Sequence, residues 1–214
     1  MKFTEILTEI NVIKKKHIKI INKLIEEICD NNHKETQINT FETLKVAKKV
    51  LEKFKIDYWL GYGTLIGCIR HSGFIPWDDD IDICVLEKEL VILNNIDWVK
   101  YEIEWVKFHD DLYRIIHKGW QIDIFILKFN YEKNLEMTVD EIFPLKKGRF
   151  NGIKFNIPNY PDNFFLRKYQ GVNPMKKCSI WNHKINNIYE KEFEFEKFTI
   201  NFEDLEKKWK KYKI

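Results

Sequence analysis

The feature that most constrains this chain is Trp77-Asp78-Asp79-Asp80-Ile81-Asp82-Ile83-Cys84-Val85-Leu86, where four carboxylates in five residues run straight into an apolar segment. Side chains alternate faces along a strand, so this spacing predicts Asp80 and Asp82 on one side with Ile81 and Ile83 turned into a core. Two like charges about 4–6 Å apart repel by up to roughly 4 kcal/mol at an effective dielectric near 20. A single Asn would remove that cost. Keeping both ionised makes sense where a divalent cation lies between them and inverts the local charge balance.

A third acid, Asp123, stands inside Trp120-Gln121-Ile122-Asp123-Ile124-Phe125-Ile126-Leu127. An ionised Asp in an apolar strand costs several kcal/mol unless it is paired or holds a metal. If the two strands are neighbours, Asp80, Asp82 and Asp123 converge, with Asp78 as a further candidate ligand, which is the arrangement of two-metal phosphoryl transfer. Two rival readings compete. An acidic surface loop leaves the apolar alternation unexplained. An EF-hand would use Asp78, Asp80, Asp82 and Glu89, but its sixth position requires Gly for a sharp turn and here is Ile83.

Upstream, Gly61-Tyr62-Gly63-Thr64-Leu65-Ile66-Gly67-Cys68-Ile69-Arg70-His71 reads as a glycine turn opening a helical segment. Exposed backbone N–H groups there suit a phosphate, Thr64 adds a hydroxyl donor, and Arg70 offers a planar fork for phosphate oxygens. The candidate nucleotide- or phosphate-binding residues in this stretch are Gly63, Thr64, Gly67, Arg70 and His71.

Apolar periodicity predicts an N-terminal helical segment over 1–38 and a second helix from Phe41 to Phe54, capped by Asn39 with Glu42 completing a capping box. A short strand, Tyr58-Trp59-Leu60, precedes the glycine turn, and Trp59 and Trp77 read as core residues. Strand-like segments follow at 101–108, 112–116 and 121–127, separated by the turns His109-Asp110-Asp111 and His117-Lys118-Gly119. Asn151-Gly152 predicts a tight hairpin, and a later helix runs through Tyr169. The whole reads as one α+β domain: a catalytic unit over 39–180 and a charged, helical C-terminal tail over 181–214 packed on it.

Composition excludes several classes. The 214 residues are 44% hydrophobic and 15% aromatic, which offsets the ordering entropy that defeats disordered chains. A net charge of +3 is too balanced for a typical nucleic-acid binder, and interleaved glutamates make Lys14-Lys15-Lys16 and the tail over 207–213 solvated helix faces. Cys29, Cys68, Cys84 and Cys178 form no Cys-x-x-Cys pair and read as small buried hydrophobes in a reducing compartment. No run approaches the ~20 apolar residues that span a bilayer, and Glu5 and Glu9 interrupt any signal sequence. The expectation is a soluble, intracellular (cytoplasmic) protein.

The run from Gly63 to His71, followed by Gly73-Phe74-Ile75-Pro76-Trp77-Asp78-Asp79-Asp80-Ile81-Asp82-Ile83, closely resembles the signature of the LicD family. That family includes bacterial phosphocholine transferases and the eukaryotic fukutin and fukutin-related proteins. Ile122-Asp123-Ile124-Phe125, Ile142-Phe143-Pro144-Leu145-Lys146-Lys147, Phe150-Asn151-Gly152, Ile157-Pro158-Asn159 and Phe165 to Gly171 extend the resemblance over about residues 40–175. It implies a nucleotidyltransferase-like fold, a mixed β-sheet packed against helices. It also implies Mg²⁺- or Mn²⁺-dependent transfer of a phosphorylated alcohol, choline phosphate or alditol phosphate, from a CDP-linked donor to a sugar or glycan hydroxyl, releasing CMP. By position, Gly63 and Thr64 would contact the donor diphosphate, Arg70 with Lys146 or Lys147 would help to hold it, Asp80 and Asp82 would bind the metal, and Asp123 would be the third acid. No cysteine cluster resembles the zinc-binding insert of fukutin-related protein, so no structural zinc is expected. The alternatives are a nucleotidyltransferase or nucleotide-binding module acting near nucleic acid, and a catalytically inactive relative.

Overall fold

The structure, a computed structural model, describes residues 33–75, 78–128, 138–168, 177–182 and 187–194. Helix α1 (His33–Lys53) carries Phe41, Leu44, Ala47, Val50 and Leu51 at spacings of three and four, and all five are buried. It stops at Lys55, whose φ of 57° is left-handed, while the Ile56 N–H reaches back to the Leu51 carbonyl at 2.9 Å. That is a Schellman ending on a non-glycine residue.

The start of α1 differs from the sequence expectation. Asn39 does not cap a helix beginning near Phe41; it lies within α1, and its Nδ2 donates to the Glu35 carbonyl at 2.9 Å. Thr40 and Thr43 bond back in the same way, to the carbonyls of Thr36 at 2.8 Å and Asn39 at 3.0 Å. Polar side chains that often end helices are here absorbed by the helix's own carbonyls, with no Gly or Pro to break it. The helix therefore runs across the 38/39 boundary.

Strand β1 (Tyr58–Leu60), helix α2 (Tyr62–His71) and strand β2 (Asp82–Leu86) follow. After a 3₁₀ turn at Glu87–Glu89, the short helix α3 (Leu90–Leu93) and another turn at Trp98–Tyr101 come β3 (Ile103–His109), β4 (Leu112–His117) and β5 (Trp120–Leu127). The sheet order is β1-β2-β5-β4-β3, with β2 and β5 parallel and every other neighbour antiparallel. This is the mixed sheet of an α+β fold. Lys118 and Gly119, at φ 52° and 81°, make the two-residue turn from β4 to β5.

Register separates the two faces of the sheet. Ile83, Val85, Ile115, Ile122, Ile124 and Ile126 are all buried on the side that packs against α1. The other face carries Asp82 and Cys84 on β2, Asp123 and Phe125 on β5, and Arg114 on β4. All five β2 residues are buried, because this face is also covered over the apolar part of the strand. Tyr62 seats there between Phe125 and Phe164, with ring centroids at 4.5 and 5.6 Å.

Beyond the sheet lie α4 (Val139–Ile142), the hairpin β6 (Lys146–Phe150) and β7 (Ile153–Ile157), and α5 (Pro161–Lys168). Asn151 and Gly152, at φ 44° and 81°, form the predicted tight turn. Phe150 is fully buried and packs its ring on Phe41, Phe74 and Phe155, tying the hairpin to α1 and to the loop before the acids. Phe150→Ala is expected to cost about 3–5 kcal/mol of unfolding free energy, measurable by urea denaturation.

The sequence reading of a helical tail meets a difference at its start. Lys177–Asn182 (β8) and Asn187–Glu194 (β9) pair as antiparallel strands, so the 180/181 boundary falls within β8. Tyr189-Glu190-Lys191-Glu192-Phe193-Glu194 spaces its aromatics four apart, a distance that suits a helix face and also a single strand face. The N-terminal segment over 1–32, Trp77, His183 and the basic tail over 207–213 lie outside the described residues. Among the described residues no helix is long and apolar enough to cross a membrane.

Candidate active site

The site forms where the β1–α2 turn meets the first residue of β2. Thr64, buried in the first turn of α2, accepts the backbone N–H of Asp82 on its Oγ1 at 2.8 Å. The Gly61 N–H donates to the Asp82 carbonyl at 3.0 Å. On the other side the Asp123 N–H donates to the Ile81 carbonyl at 2.9 Å, and Asp82 and Asp123 are register partners. Register partners share a face, so the two carboxylates stand side by side on adjacent parallel strands.

Asp78 completes the cluster from the loop. Gln37 of α1, buried, donates its Nε2 to the Asp78 carbonyl at 2.6 Å and anchors that loop. A Cβ on Gly63 would come within 2.7 Å of the Asp78 Oδ2, so this glycine lets the carboxylate lie against the turn. Burial pushes Asp78 well above the ordinary aspartate range, followed by the charges of Asp80 and Asp82 and a side-chain hydrogen bond with Asp80. Asp82 is raised likewise, first by burial and then by Asp80 and Asp123. Acidic charge is thus in excess around Asp78 and Asp82.

That excess, presented by hard oxygen donors, fits a divalent cation such as Mg²⁺ or Mn²⁺. The arrangement is nevertheless not a closed ligand set. Among the described residues no three His, Cys, Asp or Glu side chains stand grouped as metal ligands. Asp78 bonds to Asp80, and Asp123 is turned to Arg114, whose Nε lies 3.0 Å from its Oδ1. The EF-hand reading ends here, since Asp82 opens a strand and Ile83 lies in its buried ladder.

The other sequence-predicted residues divide. Gly63 and Thr64 line the cluster, as described. Gly67 does not: it is buried under the loop that follows α2, where a Cβ would meet the Gly73 carbonyl oxygen at 2.5 Å and the Ile75 nitrogen at 3.0 Å. Its small size lets that backbone pass close to α2. Arg70 donates its Nε to the Nε2 of buried His71 at 2.7 Å, in the last turn of α2. Lys146 reaches the Asn159 carbonyl at 2.8 Å and lies over the Tyr160 ring, and Lys147 bonds Asn156 Oδ1 at 2.5 Å. Both lysines are exposed and engaged within the hairpin and the loop after it. Cys68 and Cys84 are buried free thiols, and Trp59 is core, as expected.

Sequence reasoning missed Gln37 and Arg114. Arg114 had a readable signal: a Lys118-Gly119 turn pairs His117 with Trp120, and counting back three residues sets Arg114 opposite Asp123, the observed register. Gln37 had none, because its partner is 41 residues away.

Against known proteins, the family described as LicD/FKTN/FKRP, nucleotidyltransferase domain, matches residues 55–160. An uncharacterized protein of Rickettsia prowazekii is 28% identical over 145 residues, 62% of this chain and 54% of its own. Lipopolysaccharide cholinephosphotransferase LicD of Haemophilus influenzae is 54% identical over 50 residues, 23% of this chain and 19% of that protein. Human ribitol 5-phosphate transferase FKRP is 45% identical over 42 residues, 20% of this chain and 8% of that protein. The chain thus spans about half the length, or less, of the curated relatives it matches. A solved structure of ANT(2")-Ia in complex with adenylyl-2"-tobramycin aligns over 80% of this chain and 98% of its own, at 14% identity and a TM-score of 0.43. Over residues 55–160, which contain Asp78, Asp80, Asp82, Asp123 and Arg114, this chain belongs to the LicD/FKTN/FKRP nucleotidyltransferase-domain family.

Proposed function

We propose that this chain is a metal-dependent transferase of phosphorylated alcohols, moving choline phosphate or an alditol phosphate from a CDP-linked donor to a sugar hydroxyl of a glycan and releasing CMP. The observation that carries the reading is the register of Asp82 against Asp123, with Asp80 close enough to raise Asp82. The family, and relatives named as cholinephosphotransferase and ribitol 5-phosphate transferase, support the class of group transferred.

Asp80, Asp82 and Asp123 would hold the cation, with Asp78 beside them. The chemistry a divalent ion supplies when bound there is neutralisation of a diphosphate and acidification of a hydroxyl. The chain's own part is positioning. The opening of α2 at Tyr62-Gly63-Thr64 would offer backbone N–H groups to a phosphate, and Thr64 ties that turn to the first residue of the acid strand. The acceptor oxygen forms a new bond to the distal phosphorus, the bond from that phosphorus to the CMP oxygen breaks, and the hydroxyl proton leaves to solvent or a carboxylate. Orientation and charge placement supply most of the acceleration in such transfers.

A panel of CDP-linked alcohols, incubated with Mg²⁺ or Mn²⁺ with and without sugar acceptors, should release CMP from one donor class in a metal- and acceptor-dependent way. Absence of CMP release from every donor, together with tight, steeply salt-dependent binding to RNA or DNA, would support the nucleic-acid reading instead.

A further inference from the structure

Among the described residues, Arg114 is a cation bonded directly to one of the acids. Its Nε lies 3.0 Å from Asp123 Oδ1, and its guanidinium carbon lies 3.7 Å from the Phe108 ring centroid. The guanidinium thus has two seats at once, a carboxylate and an aromatic face, which suits its flat, weakly hydrated charge. Asp123 in turn is the register neighbour of Asp82 on one side and Arg114 on the other, so acid, acid and base form a row across three strands. One oxygen of Asp123 is thereby engaged by Arg114 while the carboxylate still stands beside Asp82, and among the described residues no three acids are grouped as ligands.

We infer that Arg114 is the counter-ion of Asp123 in the free protein, that it competes with a divalent cation for this carboxylate, and that its charge then serves the donor diphosphate. The inference rests on the metal-dependent reading above and adds to it a positioning residue with two effects of opposite sign. A fixed positive charge one carboxylate away from the ion's place opposes a bare cation. The same charge attracts an incoming diphosphate once the cation has taken Asp123. A purely structural arginine would move both affinities the same way, through misplacement of Asp123.

The experiment is titration of the full chain with Mn²⁺ alone, followed by electron paramagnetic resonance, and then titration with CDP at saturating Mn²⁺. Arg114→Met should bind Mn²⁺ alone at least about threefold more tightly than wild type and bind CDP more weakly. Arg114→Lys, which keeps the charge, should return both affinities toward wild type. If Arg114→Met does not fold, Arg114→Gln serves as the neutral variant, with the same expectation. A wild-type chain that binds Mn²⁺ while both neutral variants bind it no more tightly overturns this inference and leaves the metal-dependent reading standing. A wild-type chain that takes up no Mn²⁺ overturns both.

Discussion

Asp82→Asn is expected to abolish transfer while raising the thermal stability of the metal-free protein. Asp82 is buried, and both its burial and its neighbours Asp80 and Asp123 disfavour its charge. Removing one carboxylate from this cluster relieves repulsion within the fold, and Asn preserves the shape. With EDTA present, a rise in Tm of roughly 2–6 °C is expected for a chain of this size, alongside a loss of at least about 10²–10³-fold in CMP release.

The pH dependence has a definite sign. Asp78 and Asp82 bind protons more tightly folded than unfolded. The metal-free protein therefore loses stability as pH rises above the ordinary aspartate range toward their raised values, and Asp82→Asn should flatten that slope. Saturating Mn²⁺ should reverse the order, stabilising the wild type and not the variant. Asp123→Asn separates the two roles of a carboxylate here. It too should abolish activity, but it leaves Arg114 without its carboxylate and should lower stability by about 1–2 kcal/mol. Thermal melts of the two variants in EDTA decide the matter; a fall in Tm for Asp82→Asn as well as for Asp123→Asn would overturn the repulsion argument.

Gly67→Ala is expected to lower stability by about 2–3 kcal/mol, a fall of roughly 5–10 °C in Tm, and to reduce activity with it. The added Cβ would stand 2.5 Å from the Gly73 carbonyl oxygen and 3.0 Å from the Ile75 nitrogen. Both are backbone atoms, so no side chain can swing aside to relieve the contact. The loop that must shift leads to Asp78, whose N–H bonds the Ile75 carbonyl at 2.9 Å, so the displacement reaches the acids. Gly119→Ala is the control. That glycine has φ of 81° with nothing within 4 Å of an added Cβ, so its cost is backbone strain alone, about 1 kcal/mol. Equal melts for the two variants would show that Gly67 is not a packing glycine.

Much of the candidate site is legible in the chain because it is local. The alternation of Asp82, Ile83, Cys84 and Val85 makes a strand whatever surrounds it, and Asp123 within Ile122 and Ile124 makes another. Asn151-Gly152 and Lys118-Gly119 take left-handed turns for reasons internal to those residues. The start of α1 was less legible, because Asn39 serves equally well as a cap or as a donor to its own helix. Gly67 and Gly63 look alike in sequence, yet one lies under a backbone and the other against a carboxylate.

From the sequence alone came the acids, the two strands that carry them, the glycine turn and the family resemblance, since each depends on residues within a few positions of one another. Only the tertiary structure decided that β2 and β5 are parallel neighbours, that Gln37 holds the acidic loop from 41 residues away, and that Asp123 answers to Arg114 as well as to Asp82. The physical reason is range. Strand periodicity and turn geometry are set by neighbouring residues along the chain, whereas the charge balance of a buried cluster depends on whichever groups the folded sheet brings within a few ångströms.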